Sequence, residues 1–297
     1  MIIEYSSVCL NEDNYIEKIG EARSLVSAAG YEFGVQIHNS IGESLLCRLA
    51  PLAGELPFSV HSPILAKYFL NLAAGDIESL KPDLMSAASR LGMFGTDLFF
   101  FHGFFLTEKP IVHDMKNYRA AMREGIGPEY SLRGSFIMDP AFFETEQYRA
   151  MKENFRKNLA ATKELFPGLT VALENDFVGI GSGLQRPQEI VELIDDLWFD
   201  TGHFWCASLV HKFDFYEECR RVLESVKVHG VHVNHNLMTA ADPLETIRDS
   251  HAHLYTPSGQ NLKPIVRYIR DRNIPRLTLE IVDGDIEDLK ILLGWMD

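Results

Sequence analysis

Nine side chains able to hold metal ions or move protons recur at equivalent places in this sequence. His61 closes Phe58-Ser59-Val60-His61, His102 closes Phe99-Phe100-Phe101-His102, and Glu174 closes Val171-Ala172-Leu173-Glu174. Asp200 closes Leu197-Trp198-Phe199-Asp200, with His203 three residues on. His232 ends Val228-His229-Gly230-Val231-His232, Asp249 and His251 follow in the next loop, and Glu280 ends Leu277-Thr278-Leu279-Glu280. Imidazole and carboxylate suit Zn, Mn, Fe or Co, and a carboxylate can bridge two ions. A lone strand-end histidine is more often a hydrogen-bonded core residue, and a lone strand-end Asp or Glu more often caps the next helix. Six strands ending in such groups change the balance. Crowded together, these groups would repel or stay unpaired and partly desolvated without cations among them. Bound divalent metal, Zn or Mn first, is therefore expected.

The elements that must position these groups alternate along the chain. Strand-like runs fall near 2–6, 32–38, 58–61, 97–102, 170–174, 197–200, 228–233 and 276–281, with helical stretches at 15–29, 81–91, 146–165, 187–194, 213–225 and 262–271. This rhythm predicts an α/β fold with a parallel sheet under helices, and eight strands predict closure into a (β/α)8 TIM barrel, one domain over 1–297. The C-terminal strand ends of such a barrel meet at one mouth, which would make neighbours of residues distant in sequence. The rhythm breaks at about 104–147, where Gly125, Gly127-Pro128, Gly134 and Asp139-Pro140 carry turn chemistry. Loops of this length are usually functional or mobile. The insertion follows the fourth strand, so it is expected over the mouth, either as a lid or as a decorative subdomain. Its basic residues Lys109, Lys116, Arg119, Arg123 and Arg133 are interleaved with acids and read as a solvated face.

Composition narrows the function further. The chain has 297 residues and a formal net charge of −14, which argues against a broad nucleic-acid-binding surface but leaves room for a local site where metals offset the charge. No apolar run approaches the roughly eighteen residues of a membrane span. Met1-Ile2-Ile3-Glu4-Tyr5 lacks the pattern of a signal peptide, and Cys9, Cys47, Cys206 and Cys219 form no C-x-x-C pair. A reducing cytoplasm is expected.

At the nine residues the sequence resembles the xylose isomerase-like barrel superfamily, and within it the endonuclease IV type of apurinic/apyrimidinic endonuclease. The resemblance rests on Val60-His61, Phe101-His102-Gly103, Leu173-Glu174-Asn175, Phe199-Asp200-Thr201-Gly202-His203, Val231-His232-Val233-Asn234, Asp249-Ser250-His251 and Leu279-Glu280, in that family's order. It implies a phosphoester hydrolase, with abasic DNA as a possible substrate, in which His61, His102 and Glu174 hold one metal. Glu174, Asp200, His232 and Glu280 would hold a second, bridged by Glu174, and His203, Asp249 and His251 a third. The same superfamily supplies an alternative: a sugar isomerase or epimerase with one metal on Glu174, Asp200, His232 and Glu280, in which carboxylates move a proton beside a carbonyl. Glu174 and Glu280 are the catalytic carboxylates under these readings.

Other features have simpler readings. Gly179-Ile180-Gly181-Ser182-Gly183 lacks the spacing of a dinucleotide fingerprint and reads as a flexible loop. Tyr68-Phe69-Leu70 falls near that family's DNA-probing loop, and buried helix packing explains it as well. Phe204 and Trp205 read as aromatic packing at a helix start. His235 and His253 lie close enough to the cluster to meet a substrate, though ordinary hydrogen-bonding roles suit them better. His38, His113, His211 and His229 have no ligand assignment.

Overall fold

Strands that are apolar on both faces need cover on both, and this chain provides it by closing its sheet on itself. The computed structural model describes residues 1–114, 116–117, 121 and 125–297. Eight parallel strands form the closed barrel: β1 (Ile2–Ser6), β2 (Glu32–Ile37), β3 (Phe58–Ser62), β4 (Leu98–Phe101), β5 (Thr170–Glu174), β6 (Asp196–Asp200), β7 (Lys227–Val233) and β8 (Arg276–Leu279). Closure is made where Tyr5 of β1 pairs with Leu279 of β8. All eight expected strands are present, and the (β/α)8 expectation holds.

Side chains alternate along each strand. Phe99, Phe101, Val171, Leu173, Phe199, Val231, Val233, Leu277 and Leu279 join the large core shared with the helices. The intervening Leu98, Phe100, Ala172 and Trp198 form a separate apolar cluster. Phe100 and Trp198 stack with centroids 4.0 Å apart and planes 6° from parallel. A Cβ on Gly230 would lie 2.5 Å from the indole, so β7 makes room for Trp198 by carrying no side chain there. A bulge aids this placement, since Leu197 pairs with Val228 but Trp198 with Gly230. Beyond it, Asp200 pairs with His232.

The helices include Glu43–Leu49 and Ile286–Met296, which the sequence pattern does not place, and Thr201–His211, of which it marks only a start near Phe204 and Trp205. The helix expected from 81 runs over Ile77–Ser89, because Asp76 and Ser79 form a reciprocal cap that starts it ahead of Pro82. Among the described residues of the insertion, Ser131–Leu132 and Phe136–Ile137 form a short antiparallel pair. Arg119 and Arg123 lie outside the described residues. Cys9, Cys206 and Cys219 are buried, Cys47 is exposed, and all four are free. Among the described residues, no helix is long and apolar enough to cross a membrane.

Candidate metal centre

Seven of the nine expected residues stand at or within three residues of the C-terminal ends of β3 to β8, and Asp249 and His251 lie further on in the loop after β7. Local chemistry sets each one. Asp200 is the N-cap of the helix Thr201–His211: one oxygen accepts the His203 N–H at 2.6 Å, which holds His203 in the first turn. Its other oxygen, Oδ2, has no hydrogen-bond partner and lies 3.4 Å from His232 Nδ1. Cap and ligand are thus not competing roles for Asp200; each takes one oxygen. Asn175 locks the neighbouring strand ends together, accepting from the Asp200 N–H at 2.7 Å and donating to its carbonyl at 2.9 Å. A two-way bridge between His235 and Ala252 (3.0 and 2.9 Å) brings in the loop bearing Asp249 and His251. His251 has φ +39°, in the left-handed region that costs a non-glycine residue about 1–3 kcal/mol.

Four groups of donors converge at this mouth among the described residues, one of them His38, His61 and Glu280. Glu174, Asp200, His232 and Glu280, all buried, place ligand atoms within 4.8 Å of one another. His203, Asp249 and His251 do the same, as do His61, Glu174 and His232. His102 stands further out, with Nε2 3.7 Å from Glu174 Oε2.

Histidine orientation tests whether these groups fit a cation. His232 Nε2 lies 2.8 Å from Gln36 Oε1, His102 Nδ1 2.5 Å from Asp176 Oδ1, His203 Nδ1 2.9 Å from the Asn175 carbonyl, and His251 Nδ1 2.9 Å from the Glu280 carbonyl. A ring nitrogen facing such an oxygen donates its proton, so in the neutral ring the other nitrogen presents a lone pair. That second nitrogen meets carboxylate oxygens. His232 Nδ1 is 2.9 Å from Glu174, 3.2 Å from Glu280 and 3.4 Å from Asp200, while His203 and His251 Nε2 lie 3.0 and 2.6 Å from Asp249 Oδ2. Acceptors held against acceptors in a buried site need a proton or a metal cation between them. Glu174 Oε2, Asp200 Oδ2, Asp249 Oδ1 and Glu280 Oε1 also lack hydrogen-bond partners. The residues fit divalent metal.

Electrostatics point the same way. Burial pulls the His203 and His232 pKa values down, but Asp200 and Asp249 around the first, and Glu280 and Glu174 around the second, hold both well above the usual imidazole range. His251, also opposed by burial, is raised by Asp249 to about 10. Burial would raise Asp249 and Glu280, yet facing histidines keep both below the usual carboxylate range. His61 is the exception: burial, with His102 and His38 nearby, lowers it well below 6.5, so it is a neutral ring stacked on Phe100. The site is a negative well that draws in positive charge.

A cavity of about 250 Å³ opens over these groups, lined on its polar side by His38, Asn39, His61, His102, Glu174, His203, Asp249, His251 and Glu280, and on its apolar side by Phe69, Phe105, Phe177 and Ile180. His38 went unassigned in the sequence, yet its Nε2 is 3.2 Å from Glu280 Oε1. It directly follows β2, so strand-end position was the available signal. Asp176 and Gln36 were also missed. Tyr68-Phe69-Leu70 is not helical: Tyr68 bridges Val112, and Phe69 walls the cavity. The Gly179–Gly183 run is a loop, tied along residues 104–106 by Leu106 N to Gly181 O (2.7 Å) and Gly183 N to Phe104 O (2.9 Å). His235 and His253 turn to Thr256 and Asp288 and do not line the cavity. Phe204 packs on Phe199, and Trp205 donates to Met238, as packing residues.

No protein-family model matches the sequence, and no curated protein matches it. Among solved structures, the fold is similar to the xylose isomerase domain protein from Planctomyces limnophilus, with a TM-score of 0.53 and 12% identity over 99% of this chain and 95% of that one. A sugar phosphate isomerase/epimerase from Parabacteroides distasonis aligns with a TM-score of 0.49 and 9% identity, over 99% and 96% of the two chains. The first likeness shows the fold alone, a (β/α)8 barrel.

Proposed function

We propose that this protein is a divalent-metal-dependent isomerase or epimerase of a small sugar. The observation that carries this reading is the buried cage of Glu174, Asp200, His232 and Glu280 beneath a cavity of about 250 Å³ with apolar walls. That volume is below the roughly 300–1,000 Å³ of drug-sized sites. It suits a small polyhydroxylated molecule better than a duplex, and the net charge of −14 gives a DNA backbone little attraction. The name of the Planctomyces limnophilus protein points to the same chemistry.

A Zn or Mn ion held by the cage would supply Lewis acidity, polarising a substrate carbonyl. Glu174 and Glu280 flank His232 Nδ1 from β5 and from the end of β8, and can divide the proton transfer between them. Glu174 Oε2, which accepts no hydrogen bond, takes the proton from carbon beside the carbonyl; Glu280, ionised at rest, takes up a proton from solvent and returns it to carbon, and Glu174 then releases its own to solvent. His61, His203 and Asp249 hydrogen-bond substrate hydroxyls and fix which carbon faces Glu174. Phe69, Phe105, Phe177 and Ile180 exclude water from the reacting carbon.

A second reading, metal-assisted phosphoester hydrolysis with up to three ions, is favoured by one observation. His203, Asp249 and His251 make a second converging set apart from the cage, and His61 and His102 flank Glu174 on its far side. Elemental analysis of protein purified without chelator separates the two, combined with two assays. One follows deuterium uptake from D2O into a panel of ketoses and their phosphates; the other follows phosphoester cleavage, abasic DNA included, at low salt. One ion per chain with carbon-bound deuterium supports the first reading. Three ions with phosphoester cleavage and no deuterium uptake overturn it in favour of the second.

A further inference from the structure

We propose that Gln36 is a positioning residue for the metal cage, acting through His232. This rests on the cage being a metal site and assigns a role to a residue three strands from Glu174 around the barrel. Gln36 lies on β2, is fully buried and does not line the cavity, so it meets no substrate. Its Oε1 stands 2.8 Å from His232 Nε2. Its Nε2 faces Thr278 Oγ1 at 3.5 Å, and Thr278 donates to Glu4 Oε2 at 2.7 Å. Ser59 also donates to Glu4 Oε2, at 3.0 Å, and Arg276 pairs with Glu4 Oε1.

The order of donors along this chain is forced from its buried end. Glu4 is surrounded by a hydroxyl pair and a guanidinium, all of them able to donate. With its proton turned to Glu4, the Thr278 oxygen can only accept, so it must face the amide nitrogen of Gln36. That orientation leaves the amide oxygen toward His232, which must then donate from Nε2. The neutral His232 ring is thereby held as the Nε2–H tautomer, with its Nδ1 lone pair toward Glu174, Asp200 and Glu280. Hydrogen bonds running in one direction polarise one another, which strengthens the ligand end. Gln36 therefore selects the tautomer of His232 and raises its affinity for the ion, while Thr278 and Glu4 orient Gln36.

The test measures Zn2+ and Mn2+ binding to the full chain by titration calorimetry and elemental analysis, together with the imidazole 15N spectrum of the Zn2+-loaded protein. Gln36→Leu keeps bulk but removes the acceptor; we expect about 10–100-fold weaker binding at the cage and loss of the single Nε2–H signature of His232. Gln36→Glu restores an acceptor and should return the affinity to within several-fold of the parent. Thr278→Val leaves Gln36 in place but frees its amide to turn, and should give a smaller loss with a changed 15N pattern, a readout that a packing defect alone would not give. If Gln36→Leu and Thr278→Val both bind metal as the parent does and keep its 15N pattern, the Gln36 assignment is overturned and the cage reading stands. If the parent itself takes up no metal, both fall.

Discussion

Stripping divalent ions with a chelator and raising the pH from 7 to 9 should destabilise the protein, whereas the loaded form should hold nearly constant stability over the same rise. In the metal-free fold, His251 titrates at about 10, against about 6.5 for an unfolded histidine. For a group whose pKa is raised by folding, the stabilisation is complete below the unfolded value and is lost as the pH climbs through the folded one. Between pH 7 and 9 the folded chain keeps a proton on His251 that the unfolded chain has released. The slope is about 1.4 kcal/mol per pH unit, or roughly 2.7 kcal/mol over the interval. This corresponds to a Tm lower by roughly 4 °C for a chain of this size. His203 and His232 are raised too and act in the same direction. Asp249 and Glu280 are lowered, so their contributions are lost only in acid, outside the interval. With metal present the ion must displace those protons, so its affinity rises by about tenfold per proton for each pH unit, which offsets the metal-free loss and leaves the loaded form level. Scanning calorimetry at pH 7, 8 and 9, with EDTA or with a fixed free concentration of Mn2+, reads both arms. The Asp249→Asn variant removes the partner of His251 and should flatten the metal-free slope. A metal-free Tm that stays level or rises, or two forms that move in parallel, refutes the reasoning.

Glu174→Gln should abolish turnover and lower bound metal, because Glu174 lies 2.9 Å from His232 and 3.2 Å from His61; full metal content with undiminished turnover would sink its role. Asp249→Ala should remove about one equivalent of metal under the multi-ion reading and none under the single-cage reading, as elemental analysis will show. Phe69→Ala opens the cavity wall without touching a donor, so KM should rise while metal content holds; an unchanged KM would exclude Phe69 from substrate contact. Gly230→Ala drives a methyl into Trp198 and should cost about 1–3 kcal/mol, seen as a lower Tm, and an unaltered Tm would show that the indole can move aside.

The barrel was legible because its strands announce themselves. Phe99-Phe100-Phe101 and Val171-Ala172-Leu173 are short apolar runs ending in a polar group, and eight repetitions leave few folds. Helices with weaker signals were not. Glu43–Leu49 is only seven residues long, and Thr201–His211 starts on a cap residue that also serves the site. Six of the nine donors could be read because each sits at a strand end, while His203, Asp249 and His251 follow in the helix start after β6 and the loop after β7. His38 occupies the same kind of position but adjoins the cavity beside His61, a neighbourhood only the closed barrel creates. Gln36 and Asp176 act on the far nitrogens of His232 and His102, and nothing in an isolated stretch of sequence pairs β2 with β7. The apolar wall was hidden for the same reason: Phe69, Phe105 and Phe177 come from three separate loops.

The flat pairing of Phe100 with Trp198 has a consequence for traffic. It plugs the barrel interior behind the carboxylates, making the chamber a cul-de-sac. A reactant, its product and any exchanged solvent must share one doorway past the phenylalanines. Product left in that passage bars the next molecule from entering, so inhibition by product should compete directly with substrate.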